Sequence, residues 1–264
     1  MVKLPVPELP EVETVRRVLE ERLKGRTVTS YELCRPTFYR KPPAAALARL
    51  VGSTISAVRR RGKYLILRLS GGRELTLHLG MSGRIVLGGT GPHLRFRFVV
   101  EGTVVNFYDA RRFGRVGCPL PEFGPEPLGP AFCADSLFRA SRRRRAPIKA
   151  LLMDQSVVAG LGNIYATEAL FEAGIRPARS GASLRRAEVE RLVQAIKTVL
   201  GLAVAARGST LGDKAYLDPL GRPGDFQHQV AVYGRKVGRC GHKLKATRRP
   251  IAGRTSLYCP LCQR

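Results

Sequence analysis

Cys240, His242, Cys259 and Cys262, near the end of the chain, are residue types that bind metal. Cys259-x-x-Cys262 has the spacing of one half of a zinc site. The other half is irregular, because Cys240 and His242 are separated by one residue, too close for a standard ligand pair. Zinc on these four residues is one reading and a metal-free β-hairpin is the other. The short Cys-x-His loop favours a hairpin held by packing, unless the chain kinks at Gly241. In either case Arg254 falls near the hairpin's turn. GLGNIY, Gly160 to Tyr165, suggests a different chemistry. Two glycines allow a tight turn, Asn163 stands where a helix N-cap would, and backbone N–H groups at such a helix start attract anions. With Lys149 and the basic run Arg142 to Arg145 nearby in sequence, a DNA phosphate is a better reading than an ordinary helical corner. LGMSG (Leu79 to Gly83) and DARRFG (Asp109 to Gly114) each set an apolar residue among turn formers. Met81 and Phe113 are either core residues or, with Arg111, a wedge and a reader inserted into DNA. RRGKYL places Lys63 at a strand entry behind Gly62.

The bulk composition agrees with a polyanion partner. The chain has 264 residues with 46 basic and 20 acidic side chains, net +26, and 36 of the basic residues are Arg. Neutralising phosphates releases counterions, so such an excess points to nucleic acid. No apolar run is long enough to span a membrane, and the first residues do not read as a signal peptide. Cys34, Cys118 and Cys133 are scattered, which speaks against a disulfide framework and for a cytosolic protein.

The elements that must position these groups follow from periodicity. Val12, Val15, Val18, Leu19 and Leu23 recur at helical spacing behind Glu8, Glu11 and Glu13, and Gly25 stops the run. Acidic residues and Pro suit a first helical turn. Strands are expected at Thr54 to Val58, Tyr64 to Leu69, Glu74 to Leu79, Leu94 to Val100 and Thr103 to Tyr108. Gly71-Gly72 and Gly88-Gly89 are expected to turn the chain between them. After the Pro/Gly-rich GCPLPEFGPEPLGP, helices are expected at Ile148 to Asp154, Ile164 to Ala173 and Leu184 to Ala206, with Ser183 as an N-cap and Gly208 as a stop. The expected fold is α+β and multidomain: a β-sandwich with a leading helix (1–135), a helical domain (136–235) and a finger-like hairpin (236–264).

PELPEVET, RRGKYL, HLGMSG, DARRFG, GPEPL, the IKALLMDQ…GLGNIYA…EALF block, VYGR and the YCPLCQ tail, in this order from Pro7 to Gln263, together resemble bacterial formamidopyrimidine-DNA glycosylases. The opening PELPEVET with Met81, Arg111 and Phe113 is similar to the oxidised-purine branch; the related endonuclease VIII branch opens differently and lacks that trio. The resemblance implies a helix-two-turn-helix domain, a bifunctional glycosylase and abasic-site lyase acting as a monomer on duplex DNA with oxidised bases, and a cytoplasmic, nucleoid-associated place. DNA would cross the cleft between the first two domains.

The resemblance also implies roles. A free N-terminal proline, matched by Pro7, attacks C1′ of the damaged nucleoside, an iminium forms, and β and δ elimination remove the sugar. An ordinary α-amino group titrates near about 7.7–8.0, so much of it is neutral and nucleophilic at physiological pH. Glu8 matches the proton donor and shuttle, Glu11 the second carboxylate, Lys63 the proton donor for β-elimination, and Arg254 the finger arginine for δ-elimination. Lys149 and Asn163 match phosphate clamps and Arg144 a basic contact. Met81, Arg111 and Phe113 match the residues that fill the gap left by a flipped base. The loop 208–227 resembles a lid over that base.

Three positions depart from the pattern. Val237 stands where a further Cys is expected, which bears on the metal. Gly91 stands where a His is common. Pro7 has six residues before it, and a proline inside a chain is a tertiary amide with no lone pair to donate. The reading that reconciles this is translation from Val6, a GTG start in an Arg- and Ala-rich gene, followed by loss of the initiator Met. The rival readings are an oxidised-pyrimidine glycosylase of the same fold and a catalytically silent DNA-binding protein with Pro7 blocked.

Overall fold

The computed structural model describes residues 7–142, 144–211 and 216–264. The start-site expectation falls on residues 1–6, outside the described residues; so do 212–215, within the 208–227 loop, and Arg143. The chain divides into two compact units. One runs to Pro121 and takes in Ala206–Gln227; the other comprises Glu122–Ala205 and His228–Arg264.

The first unit opens with α1 (Leu9–Leu23). Its apolar stripe Val12, Val15, Leu19 and Leu23 is buried, and Pro sits in the first turn, where no hydrogen bond is lost. Gly25, at φ +81°, turns the chain away and donates its N–H to the Ile55 carbonyl at 2.8 Å. Then follow β1 (Val28–Leu33), a short α2 (Ala44–Leu47), β2 (Ile55–Arg61), β3 (Tyr64–Leu69), β4 (Arg73–His78), β5 (Gly83–Leu87), β6 (Leu94–Val100), β7 (Thr103–Asp109) and β8 (Arg115–Val116). They form two four-stranded antiparallel sheets, ordered β1-β6-β7-β5 and β2-β3-β4-β8. Phe96, Phe98 and Phe107 of one sheet share a core with Leu65, Leu67, Leu75 and Leu77 of the other and with the α1 stripe. Each such side chain contributes roughly 1.5–3 kcal/mol on burial. This is the expected sandwich with its leading helix.

Two local details differ from simple patterning. The period-two run in β6 is interrupted by a register shift between Leu94 and Phe96, which turns Arg95 inward. Its guanidinium is satisfied there by the carbonyls of Asp109 (2.8 Å) and Pro36 (2.7 Å). The segment 206–227 packs with the sandwich unit, to which it is tied by Leu87 N–H donating to the Pro219 carbonyl at 2.9 Å and by Ser209, described below.

The second unit holds α3 (Ala134–Arg142), α4 (Ile148–Met153), α5 (Asn163–Glu172), α6 (Arg186–Ala205), and a small ladder of β9 (Lys245–Ala246) with β10 (Leu257–Tyr258). Ser183 does not cap α6: it lies in a separate short turn, and Arg185 takes the cap position, its N–H bonded to Glu188 Oε2 at 2.7 Å. Nor does Asn163 cap α5; Gly162 precedes the helix and Asn163 is its first residue. No helix among the described residues is long and apolar enough to cross a membrane.

Candidate functional site

Pro7, Glu8 and Glu11 all lie buried at the start of α1, the two carboxylates 2 % exposed. Glu11 is held from both sides. Its Oε2 accepts the N–H of Glu8 at 2.8 Å, and its Oε1 accepts the N–H of Ser209 at 2.8 Å. The Tyr216 hydroxyl donates to the Glu11 carbonyl at 3.3 Å. Gly208 makes this approach possible. Its φ is +82°, and a Cβ there would stand 2.6 Å from Glu11 Oε1. A carboxylate with an N–H on each oxygen is a fixed anchor rather than a mobile proton carrier.

Lys63 stands at the tip of the β2–β3 hairpin, half-buried, next to Gly62 at φ +55°. Arg60 fixes that tip to α1. Its Nε lies 3.1 Å from Glu13 Oε2, and its Nη1 donates to the Gly62 carbonyl at 3.0 Å. Burial opposes ionisation of Glu13, but Arg16 and Arg60 outweigh it and lower its pKa. Across the ladder Tyr64 faces His78, rings 4.5 Å apart. Burial pushes the His78 pKa down to about 4, aided by the positive charges of Lys63 and Arg115. The ring is therefore neutral near pH 7, and its Nδ1 accepts the Gly80 N–H at 3.1 Å, which puts the proton on Nε2.

That bond begins the loop carrying Met81. The loop packs directly on the 109–114 turn: a Cβ on Gly80 would meet the Phe113 backbone at 2.6 Å. Asp109, fully buried, joins the two. Its Oδ1 accepts from Ser82 Oγ at 2.5 Å and from the Arg111 N–H at 3.1 Å; its Oδ2 accepts from the Gly114 N–H at 2.6 Å. Phe113 is thus presented to solvent, 43 % exposed, with the Arg111 guanidinium 5.0 Å from its ring. Met81 is half-buried in this double loop.

In the second unit Lys149, matched by the resemblance to a phosphate clamp, has a fully buried side chain. Its Nζ donates to Asn163 Oδ1 at 2.7 Å and to Ser256 Oγ at 2.8 Å. A buried cation needs such partners, and here they bolt α4 and α5 to the terminal hairpin. The corner before α5 is knitted by Gln155, whose amide reaches the carbonyls of Met153 (3.0 Å) and Leu161 (2.9 Å) and whose Oε1 accepts the Gly160 N–H (2.8 Å). Arg144 is exposed and pairs with Asp154. Glu168 on α5 explains the VYGR segment: its buried carboxylate accepts the N–H groups of Ala231, Val232 and Tyr233.

Arg254 closes the terminal hairpin. Its N–H and carbonyl pair with Ile251 at 3.0 and 2.9 Å across Ala252 and Gly253, both at positive φ. Behind the hairpin, Cys240, His242, Cys259 and Cys262 converge, with ligand atoms all within 4.8 Å of one another. The kink on which this depends is present, since Gly241 has φ +79° and donates to the Gly238 carbonyl at 2.9 Å. His242 Nδ1 is 3.5 Å from Cys259 Sγ and 3.4 Å from Cys262 Sγ. Tetrahedral zinc with ordinary bond lengths places S and N about 3.6 Å apart. These residues could hold a metal ion, so the short Cys-x-His spacing is no obstacle. Burial opposes thiolate formation at Cys259, but N–H groups of Cys262 and Leu261 bring it down to about 6; hydrogen bonding to that sulfur pushes Cys262 up to about 12.

Sequence reasoning did not single out Asp109, Ser82, His78, Glu168 or Ser256. Asp109 had a signal, an Asp two residues before a backbone N–H it can accept, as in an Asx turn. Ser256 had none, because its partner is far away in sequence.

The chain's likeness to known proteins agrees with this geometry. A family model for the formamidopyrimidine-DNA glycosylase N-terminal domain matches residues 6–116, and one for the formamidopyrimidine-DNA glycosylase H2TH domain matches 123–215. The chain is 45 % identical over 271 residues to the formamidopyrimidine-DNA glycosylase of Thermus thermophilus, covering 98 % of each. It is 45 % identical over 274 residues to that of Halorhodospira halophila, covering 98 % of this chain and 100 % of the relative. The crystal structure of MutM (Fpg) from Thermus thermophilus matches with a TM-score of 0.88 at 44 % identity, over 97 % of this chain and 98 % of that one. A complex of Lactococcus lactis Fpg with DNA containing an abasic site matches with a TM-score of 0.85 at 32 % identity, over 97 % and 99 %.

Proposed function

The chain belongs to the formamidopyrimidine-DNA glycosylase family, and from that premise we propose that its chemistry starts at the secondary amine of Pro7. It is a base-excision-repair DNA glycosylase and lyase. The damaged base is an oxidised purine in duplex DNA, a reading supported by the PELPEVET opening with Met81, Arg111 and Phe113. Pro7 nitrogen attacks C1′, the bond from C1′ to the base breaks and the base leaves with a proton. The amine gives up its own proton, and the C1′–O4′ bond then opens as O4′ is protonated, leaving an iminium that links enzyme and sugar. The two carboxylates beside Pro7 divide the work. Glu11 is occupied by the N–H groups of Glu8 and Ser209 and serves to position the turn. Glu8, whose side chain accepts the Glu11 N–H in the capping box of α1, moves the protons at the sugar, the role that the family resemblance gives it. Lys63 acts in β-elimination and Arg254 in δ-elimination, each from a hairpin tip. Asn163, at the N-terminal end of α5, takes a phosphate; Arg144 exchanges its exposed Asp154 partner, a pair worth little in water, for another. Met81, Arg111 and Phe113 fill the gap that base flipping leaves.

The observation that carries this reading is the burial of Pro7 at the start of α1 together with two buried glutamates, one of them anchored on both oxygens. The chemistry requires that no peptide bond join Val6 to Pro7. Protein whose intact mass begins at Pro7 should nick duplex containing 8-oxoguanine and become covalently trapped by borohydride. Protein verified to retain residues 1–6 should do neither; equal trapping from it would overturn the proline mechanism, and absence of trapping from both would leave a DNA-binding protein only.

The four converging residues fit zinc in number, type and spacing, and we assign a structural zinc to Cys240, His242, Cys259 and Cys262. When bound, zinc cross-links the terminal hairpin and keeps the thiols as ligands. Elemental analysis of untagged protein should find one zinc per chain.

A further inference from the structure

We infer that Tyr39 is a further DNA-contacting residue, a second stacking ring that extends the Phe113 wedge and packs on the base next to the gap. This rests on the reading of Phe113 as a wedge. Tyr39 is 67 % exposed, and its ring centroid lies 5.8 Å from that of Phe113, tilted by 36°. The Arg112 guanidinium covers it at 4.5 Å, and Arg111 stands 5.0 Å from Phe113. The four side chains form one run, Arg112, Tyr39, Phe113 and Arg111, exposed except for the half-buried Arg112.

An exposed tyrosine is common, but this one is held in place. The preceding Phe38 is 1 % exposed and packs against Phe107 with centroids 4.9 Å apart, so it anchors the loop in the sandwich core. The Tyr39 N–H donates to the Arg112 carbonyl at 3.0 Å, and Arg112 Nε donates to the Thr37 carbonyl at 2.6 Å. A Cβ on Gly114 would meet the Phe38 ring at 2.8 Å, so the two loops are in close contact. The backbone of Tyr39 is therefore fixed while most of its ring remains in water, which suits a flat, apolar ligand. In a chain of net +26, that ligand is a nucleobase. Rings interleaved with guanidinium groups form the surface on which bases stack while phosphates are neutralised.

An intact duplex offers no bare base face. Flipping a nucleotide exposes one on each side of the gap. Tyr39 therefore acts on damaged duplex and contributes little elsewhere. Because a ring neutralises no phosphate, its effect is independent of salt.

The test uses full-length protein and a duplex with a tetrahydrofuran abasic analogue, with intact duplex alongside. Tyr39→Ala and Tyr39→Leu should each weaken binding to the analogue duplex by about 5- to 150-fold, the range of one base–aromatic stack. Tyr39→Phe should bind like the parent. The slope of log affinity against log salt should be unchanged, and intact duplex should bind within about twofold of the parent. Unchanged affinity in Tyr39→Ala, a Leu variant as good as Phe, or a slope lower by about one would overturn the inference. Phe113→Ala separates this from the underlying reading. If it weakens binding while Tyr39→Ala does not, only Tyr39 fails; if neither does, the wedge fails as well.

Discussion

Two hairpins in this protein each present one cation at a tight turn, and they are held by different means. Lys63 sits at the end of β2 and β3, which pair from Ile55–Leu69 to Arg61–Tyr64 and bury Val58, Leu65 and Leu67 in the sandwich core. Arg254 sits at the end of a ladder only two residue pairs long, over a small cluster of Ala231, Val232, Leu244 and Cys259. The first tip is supported by a long ladder and a large apolar core. The second is supported by side-chain cross-links: Lys149 to Ser256, Gln263 to the Ile175 carbonyl, and the four Cys and His residues. A short hairpin cannot bury enough surface to order itself. Its cation can be placed only by bonds that reach it from elsewhere in the chain.

The largest effect should come from removing those bonds. Chelation or Cys259→Ser should abolish zinc content, and with it local folding energy on the order of 10 kcal/mol. Strand cleavage at an abasic site should fall roughly 100-fold as Arg254 loses its place. Urea unfolding of the sandwich unit should be unchanged. Full cleavage by zinc-free protein would break the comparison.

Acid should act on the other hairpin. His78 has a pKa of about 4 against an ordinary 6.5, so as pH falls the unfolded chain takes up this proton first. Its contribution is complete above about pH 6.5 and is lost as pH drops towards 4, by up to about 3 kcal/mol. Protonation also costs Gly80 its acceptor and so loosens the Met81 loop. His78→Asn keeps an acceptor that does not titrate. Urea midpoints measured between pH 7 and 4.5 should fall less steeply for it than for the parent; parallel curves would remove His78 from the account.

Lys149→Met leaves Asn163 Oδ1 and Ser256 Oγ without their donor, a loss of about 1–3 kcal/mol. Stability of the zinc-loaded protein should drop accordingly. The salt slope of DNA binding should not change, because the amine is buried. A slope lower by about one would place Lys149 on a phosphate after all.

Arg60→Ala should have the smallest effect, about 1 kcal/mol, because Arg16 and Arg17 still cover Glu13. Its signature is a lower rate of β-elimination with DNA affinity retained. A larger drop in stability would mean that the Lys63 hairpin also depends on a cross-link.

Much of the architecture was legible beforehand. The α1 stripe and the strands between Gly-Gly turns are local patterns, repeated every few residues, and a sheet or helix is their direct consequence. The exceptions are instructive. Arg95 lies inside because a bulge, invisible in the alternation of β6, turns it there. Ser183 and Asn163 looked like caps, but Arg185 and Gly162 hold those positions; the Asn163 side chain is engaged by Lys149 instead. Among site residues, sequence named Lys149 and Asn163 but not the bond between them. It found all four Cys and His residues and made their reach depend on a kink at Gly241, a backbone angle that only the fold supplies.

The sequence by itself determined the residue types, the excess of positive charge, the periodic elements and the order of motifs that marks the family. These depend on near neighbours, whose separation along the chain is also their separation in space. Only the tertiary structure decided that Glu11 is anchored by Ser209, that Asp109 joins the Met81 and Phe113 loops, and that Tyr39 is held out beside Phe113. Those contacts join residues far apart in sequence, and no local pattern records them. They arise from how the core brings the loops together, and they set which side chains remain in water.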